Sequence, residues 1–388
     1  MATVSSIFAV ELGFMPAAQA ISDPNHPGLL RAGSRSAAPY GDESVESHTC
    51  SAVDWTQEGT CRPDLYEFGF DKVDLSSLDA LQLACTQVRQ AGQVSDQEEA
   101  TIRAALDGST LTCSGGRTLT VLHVAEEGFI MRRTGPNRMS VVEPGSTTAN
   151  SHGGANSIHA DQDVFGTPLT QLMQGRAPSM FRHDSPDGYN RTESLMMVNL
   201  WIPLQQITQP LVLADGRSID RRKHQLRYGL ATDSFLERED ELAVNDIWTF
   251  LYDPAQQWYF RSEMDSSSAY VFNTLSTPHG AGVLPGEDVA EQYYRALQAA
   301  ESAVALGEVA ELVTVASQAE RLSEDGQPLT QPLHQAIVAM AALLNEAHSH
   351  AEEVCGEYAE QWVSRSQAVR GLLVRMSIEL RMVVSVTG

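Results

Sequence analysis

The sequence predicts an α+β protein, in which a β-rich body lies between an N-terminal and a C-terminal helical region. Before the body, apolar residues recur at helical spacing: Leu75, Leu78, Leu81, Cys85 and Val88. From Thr118 to the region of residue 280, the pattern changes to short apolar and aromatic runs separated by turn residues, which is typical of strands. After Pro285 helical spacing returns, in a segment rich in Ala, Glu, Gln and Leu.

These patterns divide the chain into three regions. Residues 1–70 are predicted to form an irregular N-terminal arm, because the segment 21–65 is rich in Pro, Gly, Ser and Asp. Residues 71–286 are predicted to form the body with its flanking helices, and residues 287–388 a helical C-terminal region. Such a region either packs on the body or forms a homo-oligomer interface, and both roles stay open.

The composition is acidic and argues against two classes of partner. The chain of 388 residues has 50 Asp and Glu against 26 Lys and Arg, a formal net charge of −24. A nucleic-acid-binding protein needs a basic surface, and the one basic cluster, from Arg217 to Arg227, is interpreted as a solvated loop. No uncharged apolar run approaches the ~20 residues of a membrane span. Five cysteines without a CxxC pair indicate a reduced, cytoplasmic setting.

Two short segments carry candidate metal ligands. In His159-Ala-Asp161, which lies in a strand-like run, residues i and i+2 point to the same face of the strand and can hold one ion. A third ligand must come from another strand, and His279 ends a second apolar run. Two imidazoles and one carboxylate leave three adjacent coordination positions open, as in non-haem Fe(II) oxygenases. A further triplet, His350-Ala-Glu352, lies in a helical pattern, where i and i+2 point apart.

The segments around these residues occur in a characteristic order. The metal strand is followed by a hydrophobic segment from Leu195 to Leu204, then by Gln209-Pro-Leu-Val-Leu-Ala-Asp215, and then by the aromatic strand that leads to His279. Over residues 150–285 this order resembles the Fe(II)/2-oxoglutarate-dependent dioxygenase superfamily. The resemblance implies that the core of the body is a double-stranded β-helix, or jelly roll.

The resemblance also implies a chemistry. Fe(II) is expected to be held by the two histidines and Asp161, with 2-oxoglutarate chelating the iron through its keto acid and O2 taking the remaining position. The expected reaction is the oxidation of a small organic molecule, in specialised metabolism. Halogenases that resemble this superfamily have a small residue in place of the carboxylate, so Asp161 indicates hydroxylation, desaturation or ring formation.

The anchor for 2-oxoglutarate is the point where the sequence departs from the family pattern. Such families place an Arg or Lys a short distance beyond the distal His. Here the first basic residue after His279 is Arg295, 295 − 279 = 16 positions on and in a predicted helix. Arg191 and Arg261 therefore remain candidates, because a guanidinium meets a carboxylate with two parallel hydrogen bonds.

Two more residues are predicted to contribute to the cosubstrate cavity. Asn199 and Trp201 alternate on one face of their strand, so both are expected to face the cavity. The alternative for Trp201 is a position in the core, where large aromatic side chains usually lie.

Two other functions remain open from the sequence. The first is a cupin-like metal enzyme that uses the same triad without 2-oxoglutarate, which the missing anchor favours. The second is a non-catalytic jelly roll, in which the two histidines and Asp161 form a polar network while the acidic surface and the helical tail mediate assembly.

Overall fold

The computed structural model describes residues 7–24, 27–32, 45–56, 62–125, 128–141, 146–150, 152–161, 195–231, 244–319 and 328–388. The strands are β1 (Ile7–Phe14), β2 (Ala20–Ser22), β3 (Leu30–Ala32), β4 (Glu46–Asp54), β5 (Phe70–Asp74), β6 (Thr110–Cys113), β7 (Thr118–Val124), β8 (Ile130–Thr134), β9 (His159–Ala160), β10 (Leu195–Pro203), β11 (Leu211–Ala214), β12 (Gln225–Ala231), β13 (Val244–Phe250), β14 (Trp258–Phe260), β15 (Ser268–Asn273), β16 (His279–Ala281) and β17 (Arg375–Thr387). The helices are α1 (Asp79–Ala91), α2 (Asp96–Leu106), α3 (Arg221–His224), α4 (Glu287–Leu306), α5 (Val309–Ala319), α6 (Gln331–Ser349), α7 (Ala351–Cys355) and α8 (Ala359–Gly371).

The strands form two sheets. The first has ten strands in the order β1-β4-β14-β11-β16-β9-β13-β12-β3-β2, and the second has seven in the order β10-β15-β5-β6-β7-β17-β8. An additional pairing of β10 with β17 closes six strands of the second sheet into a ring. One buried apolar cluster contains members of both sheets and of α1, α2 and α4. The prediction of mixed helices and sheets with a jelly-roll-like core is confirmed.

The N-terminal segment contributes strands to the first sheet. β1 pairs with β4 in antiparallel register from Ile7↔Val53 to Phe14↔Glu46. Alternate side chains of β1 enter the core, since Phe8, Val10 and Leu12 are buried while Ile7 is exposed. The prediction of an irregular arm over residues 1–70 is therefore wrong for these strands, because the alternation in β1 is a strand pattern.

The end of the chain is a strand and not a helix. β17 runs through the second sheet, paired with β10 on one edge and with β8 and β7 on the other. The described residues from Glu287 to Gly371 form helices α4 to α8. The helical prediction for residues 287–388 is thus wrong for Arg375–Thr387. From Arg375 to Met382 polar and apolar residues alternate, which is a strand pattern. The segment is buried and paired with other strands on both sides, so it forms a strand although it follows a helical region.

Helix α2 begins where a local signal predicts. Ser95 accepts a hydrogen bond from the Glu98 N–H, and the Glu98 side chain bonds back to the Ser95 N–H, so α2 starts with a capping box. The buried faces of α1 and α2, through Leu81 and Ile102, join the common core. Within the described ranges, no helix is both long enough and apolar enough to span a membrane.

Candidate metal centre

β9 and β16 bring the two candidate histidines together. His159 and His279 are direct partners in an antiparallel pairing, and β13 pairs with the other edge of β9. The centroids of the two imidazole rings lie 4.4 Å apart. The His279 ring also packs against Phe272 of β15, at a centroid distance of 4.5 Å. The two sheets therefore meet at this point.

The N-terminal strand holds the segment before His159 in place. The Ile158 N–H donates to the Gly13 carbonyl at 2.8 Å, and Gly13 also bridges to Ser157. A side chain at position 13 does not fit, because a Cβ there would lie 2.2 Å from the carbonyl oxygen of Asn156. This close backbone approach requires glycine and fixes the start of the metal strand.

The three predicted ligands form one buried cluster. Nε2 of His159 and Nε2 of His279 lie 3.7 and 3.8 Å from Oδ1 of Asp161. One ligand atom from each residue lies within 4.8 Å of the others, which is close enough for one ion to contact all three. All three residues are buried. Within the described part of the chain, no other group of three His, Cys, Asp or Glu side chains could hold a metal ion.

Hydrogen bonds to the backbone fix the tautomer of both histidines. Nδ1 of His159 lies 2.8 Å from the Ser157 carbonyl oxygen, and Nδ1 of His279 lies 3.0 Å from that of Thr277. A carbonyl oxygen can only accept, so each Nδ1 carries a hydrogen and donates it. Each Nε2 then presents its lone pair to the centre, which is the form in which imidazole binds a metal.

Asp161 is held and kept ionised by polar neighbours. Asn199 donates from Nδ2 to Oδ2 of Asp161 at 2.9 Å, which leaves Oδ1 for the histidines. Nη2 of Arg381 lies 4.0 Å from the same Oδ1. Burial by itself would raise the pKa of Asp161, but the histidines and the Arg381 guanidinium hold this pKa well below its usual range. The carboxylate is therefore available as an anionic ligand.

His279 is neutral at physiological pH. Burial, and to a smaller extent the neighbouring His159, lower the pKa of His279 to about 4, while Asp161 opposes the shift. A metal ion therefore does not have to displace a proton from this ring at neutral pH.

Trp201 lies in an aromatic cluster two residues beyond Asn199. Its ring stacks on that of Tyr270 at a centroid distance of 5.3 Å, and Tyr270 stacks in turn on Trp55 at 6.3 Å. The cluster is part of a buried core that also contains Phe70 and Phe272. Asn199 thus contacts the centre directly, while the structure places Trp201 in the core beside it.

The structure does not bring two of the three predicted anchor residues, Arg295 and Arg261, into the centre. Arg295 has a side chain 63% exposed and pairs with Glu291 on the same face of α4, at 2.6 Å. Arg261 donates to the carbonyl oxygens of Trp55 and Thr56, and its guanidinium lies over the Trp55 ring. Arg191 lies outside the described residues. The helical position of Arg295 directs its side chain to solvent, so this candidate fails on geometry.

Sequence reasoning missed the basic residues of β17, which reach the inner face of the second sheet. The residues that alternate along this face are Arg375, Ser377, Glu379 and Arg381. The face is the inner one because Arg381 is the register partner of Asn199, which contacts Asp161. The alternation of polar and apolar residues from 375 to 381 indicates a strand. It was missed because the whole region was interpreted as helical.

Arg375 is a buried guanidinium that forms no ion pair within 4 Å among the described residues. Its Nη1 donates to the Gln209 carbonyl at 3.3 Å, and its Nε has no hydrogen-bond partner in the described part of the chain. The buried Oγ of Ser377 also lacks one there. Burial and the nearby Arg132 lower the pKa of Arg375 to about 10, so the group stays charged at neutral pH. A buried charge of this kind is costly unless an anion compensates it.

Comparison with known proteins gives similarities in structure and over part of the sequence. Three solved structures align with this chain: the iron and alpha-ketoglutarate-dependent endoperoxidase NvfI, a variant of NvfI in which one tryptophan is replaced by phenylalanine, and NvfI with a different conformation. Their identities are 14%, 14% and 13%, their TM-scores 0.47, 0.48 and 0.47, and the alignments cover 98%, 99% and 98% of this chain and the same shares of theirs.

A family model described as "Oxidoreductase/YMDC permease-like domain" matches residues 128–285, which include all three predicted ligands. No curated protein matches the chain. The three solved structures are of an iron and alpha-ketoglutarate-dependent enzyme, and this chain has the His-Asp-His cluster described above.

Proposed function

We propose that this protein is a non-haem Fe(II)/2-oxoglutarate-dependent oxygenase. The observation that carries the proposal is the convergence of three lone-pair-bearing atoms in one buried site. With Nδ1 of each histidine donating to a carbonyl, Nε2 of His159 and Nε2 of His279 both face Oδ1 of Asp161, at 3.7 and 3.8 Å. Such a set favours a cation between its members, and two imidazoles with one carboxylate suit Fe(II).

The strand order supports a double-stranded β-helix around this centre. From β8 to β11, successive strands enter the second and the first sheet in turn, and β14 to β17 alternate in the same way, starting from the first sheet. This alternation produces two facing sheets with the ligands between them. The helices α4 to α8 are then an insertion between the strand that carries His279 and the strand that carries Arg375.

The proposed anchor for the far carboxylate of 2-oxoglutarate is Arg375, assisted by Ser377. Both side chains are buried on the inner face of β17, and both have polar atoms without partners in the described structure. Glu379, on the same face of β17, does not form an ion pair with Arg375, since it pairs with Arg132 of β8. A carboxylate ligand would accept hydrogen bonds from the Arg375 guanidinium and from the Ser377 hydroxyl at the same time.

The residues of the chain have separate tasks in this scheme. His159, Asp161 and His279 hold the metal, and Asn199 keeps the Asp161 carboxylate turned towards it. Phe272 lies on the His279 ring and, with the Trp201 and Tyr270 stack, excludes water from that side. When bound, the iron supplies the activation of O2 for oxidation of a substrate C–H bond.

The proposed substrate is a small organic molecule, and the proposed reaction is hydroxylation, desaturation or ring formation. The presence of Asp161 as a ligand supports these outcomes over halogenation. The aromatic side chains beside His279 favour an apolar reacting portion of the substrate.

The first test is to measure iron content and succinate formation on the purified protein. After anaerobic loading with Fe(II) and desalting, we expect stoichiometric iron and, in air with 2-oxoglutarate, succinate that requires both iron and O2. Iron binding without any consumption of 2-oxoglutarate would favour the metal enzyme that lacks this cosubstrate. Absence of iron binding would favour the non-catalytic jelly roll.

A further inference from the structure

The loop between β10 and β11 lies beside the segment that leads from the helical insertion into β17. Residues 204–210 form this loop, and residues 372–374 join α8 to β17. The two segments are neighbours because β10 and β17 pair in antiparallel register up to Pro203↔Ser377, where β10 ends. The end of the insertion therefore meets the body at this loop.

Two buried side chains of the loop hold the Leu373 carbonyl, two residues before Arg375. Oγ1 of Thr208 donates to this carbonyl oxygen at 3.3 Å, and Nε2 of Gln209 donates to it at 3.0 Å. A carbonyl oxygen has two lone pairs, so these two donors saturate it. Thr208 and Gln209 are each 1% exposed, so bulk water does not compete for these hydrogen bonds.

Gln205 holds the next carbonyl along the chain. Its Nε2 donates to the Val374 carbonyl and also, at 2.9 Å, to the carbonyl of Gly371 at the end of α8. The Val374 carbonyl belongs to the peptide unit that connects to Arg375, so this contact fixes the entry of the chain into β17. Gln205 is half-buried, whereas the next residue, Gln206, is exposed.

The guanidinium of Arg375 returns to the same loop. Its Nη1 donates to the backbone carbonyl of Gln209 at 3.3 Å, and its Nε has no partner in the described part of the chain. Gln209 thus contacts Arg375 through its own carbonyl and the residue two positions earlier through its side chain. The loop therefore influences both the path of the backbone into β17 and the direction of the guanidinium.

The position of Arg375 determines which dicarboxylate fits the proposed cosubstrate site. In the proposed function, the metal binds the keto acid at one end of the molecule, and Arg375 binds the carboxylate at the other end. The planar fork of a guanidinium meets a carboxylate in a defined geometry, so the span between metal and guanidinium must match the length of the ligand. A dicarboxylate with one more carbon places its far carboxylate out of register with the fork.

We propose that Gln205 and Gln209 are positioning residues for Arg375, and that through it they select the five-carbon 2-oxoglutarate over its six-carbon homologue, 2-oxoadipate. This inference rests on the proposed function. Neither glutamine contacts the cosubstrate in this scheme, because each acts through the backbone around Arg375. The same contacts connect the end of the helical insertion to the cosubstrate site.

The test is Gln209→Met, which keeps the approximate length of the side chain and removes the Nε2 donor. The affinities for 2-oxoglutarate and 2-oxoadipate are measured by anaerobic calorimetry on the Fe(II)-loaded protein. We expect an affinity for 2-oxoglutarate that is weaker by about five- to tenfold, as for the loss of one hydrogen bond. The preference for 2-oxoglutarate over 2-oxoadipate should become smaller, while the iron content stays at the wild-type level.

Two further glutamine variants accompany this test. Gln206→Met is the matched control, since Gln206 is exposed and makes none of these contacts, and it should change neither affinity nor preference. Gln205→Met removes the donor to the Val374 carbonyl and should act in the same direction as Gln209→Met. Because Gln205 is only half-buried, its variant decides the test if Gln209→Met does not fold.

A double variant tests whether the glutamines act through Arg375. If they do, Gln209→Met should cause no further loss of affinity and no further change of preference in an Arg375→Ala background. A purely structural role would instead give the same loss in both backgrounds. Where Arg375→Ala binds too weakly to titrate, the preference measured in the single variants decides.

The outcomes separate this inference from the proposed function. An unchanged affinity or an unchanged preference in the folded glutamine variants would overturn the role of the loop while leaving the oxygenase assignment intact. An equal loss in the wild-type and Arg375→Ala backgrounds would do the same. Absence of 2-oxoglutarate binding to the iron-loaded wild type refutes the proposed function itself.

Discussion

His279→Ala and His159→Ala should each abolish stoichiometric iron binding. Each substitution removes one of the two imidazoles and leaves the buried Asp161 carboxylate with a single partner ligand. The loss should exceed the ~10- to 100-fold that removal of an outer-shell partner costs, because a ligand itself is lost. The measurement is metal content after anaerobic loading with Fe(II) and desalting, together with circular dichroism to confirm that the variant is folded.

A matched control is available in the same chain. His350 also begins a His-x-acid triplet, but it lies on the helical insertion with a side chain 58% exposed. His350→Ala should retain full iron content. Wild-type iron content in folded His159→Ala or His279→Ala would mean that the metal is not held by this triad.

Arg375→Ala should weaken the binding of 2-oxoglutarate while iron still binds. Removing the charged partner of a buried carboxylate costs about 2–5 kcal/mol, which corresponds to roughly 30- to several thousand-fold in affinity. The affinity is measured by anaerobic calorimetry on the Fe(II)-loaded variant. Among the described residues, no hydrogen bond or ion pair joins Arg375 to the predicted ligands, so the iron content should stay at the wild-type level.

The control for the anchor is Arg295→Ala. Arg295 is the basic residue that follows His279 most closely in the sequence, but its side chain is exposed on α4 and paired with Glu291. We expect no change in the affinity for 2-oxoglutarate. An unchanged affinity in Arg375→Ala, or a selective loss in Arg381→Ala instead, would contradict the assignment of the anchor.

Two members of the candidate ligand cluster, His159 and Asp161, could be predicted together from the sequence because their pattern is local. In His159-Ala-Asp161, strand geometry alone places two polar side chains on one face of the strand. Asn199 was predicted in the same way, from its alternation in β10, and in the structure its side chain donates a hydrogen bond to Asp161.

The proposed anchor, Arg375, and the last strand could not be predicted from spacing. Arg375 follows His279 by 375 − 279 = 96 positions, because helices α4 to α8 separate the two strands. Spacing along the chain says nothing about proximity across such an insertion. The strand β17 itself also follows a long helical pattern, and only its pairing with β10 and β8 gives its alternating residues an inner face.

The N-terminal strands were missed for a different physical reason. β1 has a clear alternation, but β4 follows a segment rich in Gly, Ser and Pro, and neither strand is stable without its partner. Their pairing positions Gly13 against the segment before His159, so a region predicted as irregular supports the metal strand.

Fe(II) held by the triad is expected to bind 2-oxoglutarate. The most direct measurement is an anaerobic calorimetric titration of 2-oxoglutarate into the protein with and without Fe(II). We expect saturable binding that requires the metal and is lost in His279→Ala. Absence of 2-oxoglutarate binding to the iron-loaded wild type, or the same binding in metal-free protein, would contradict the claim.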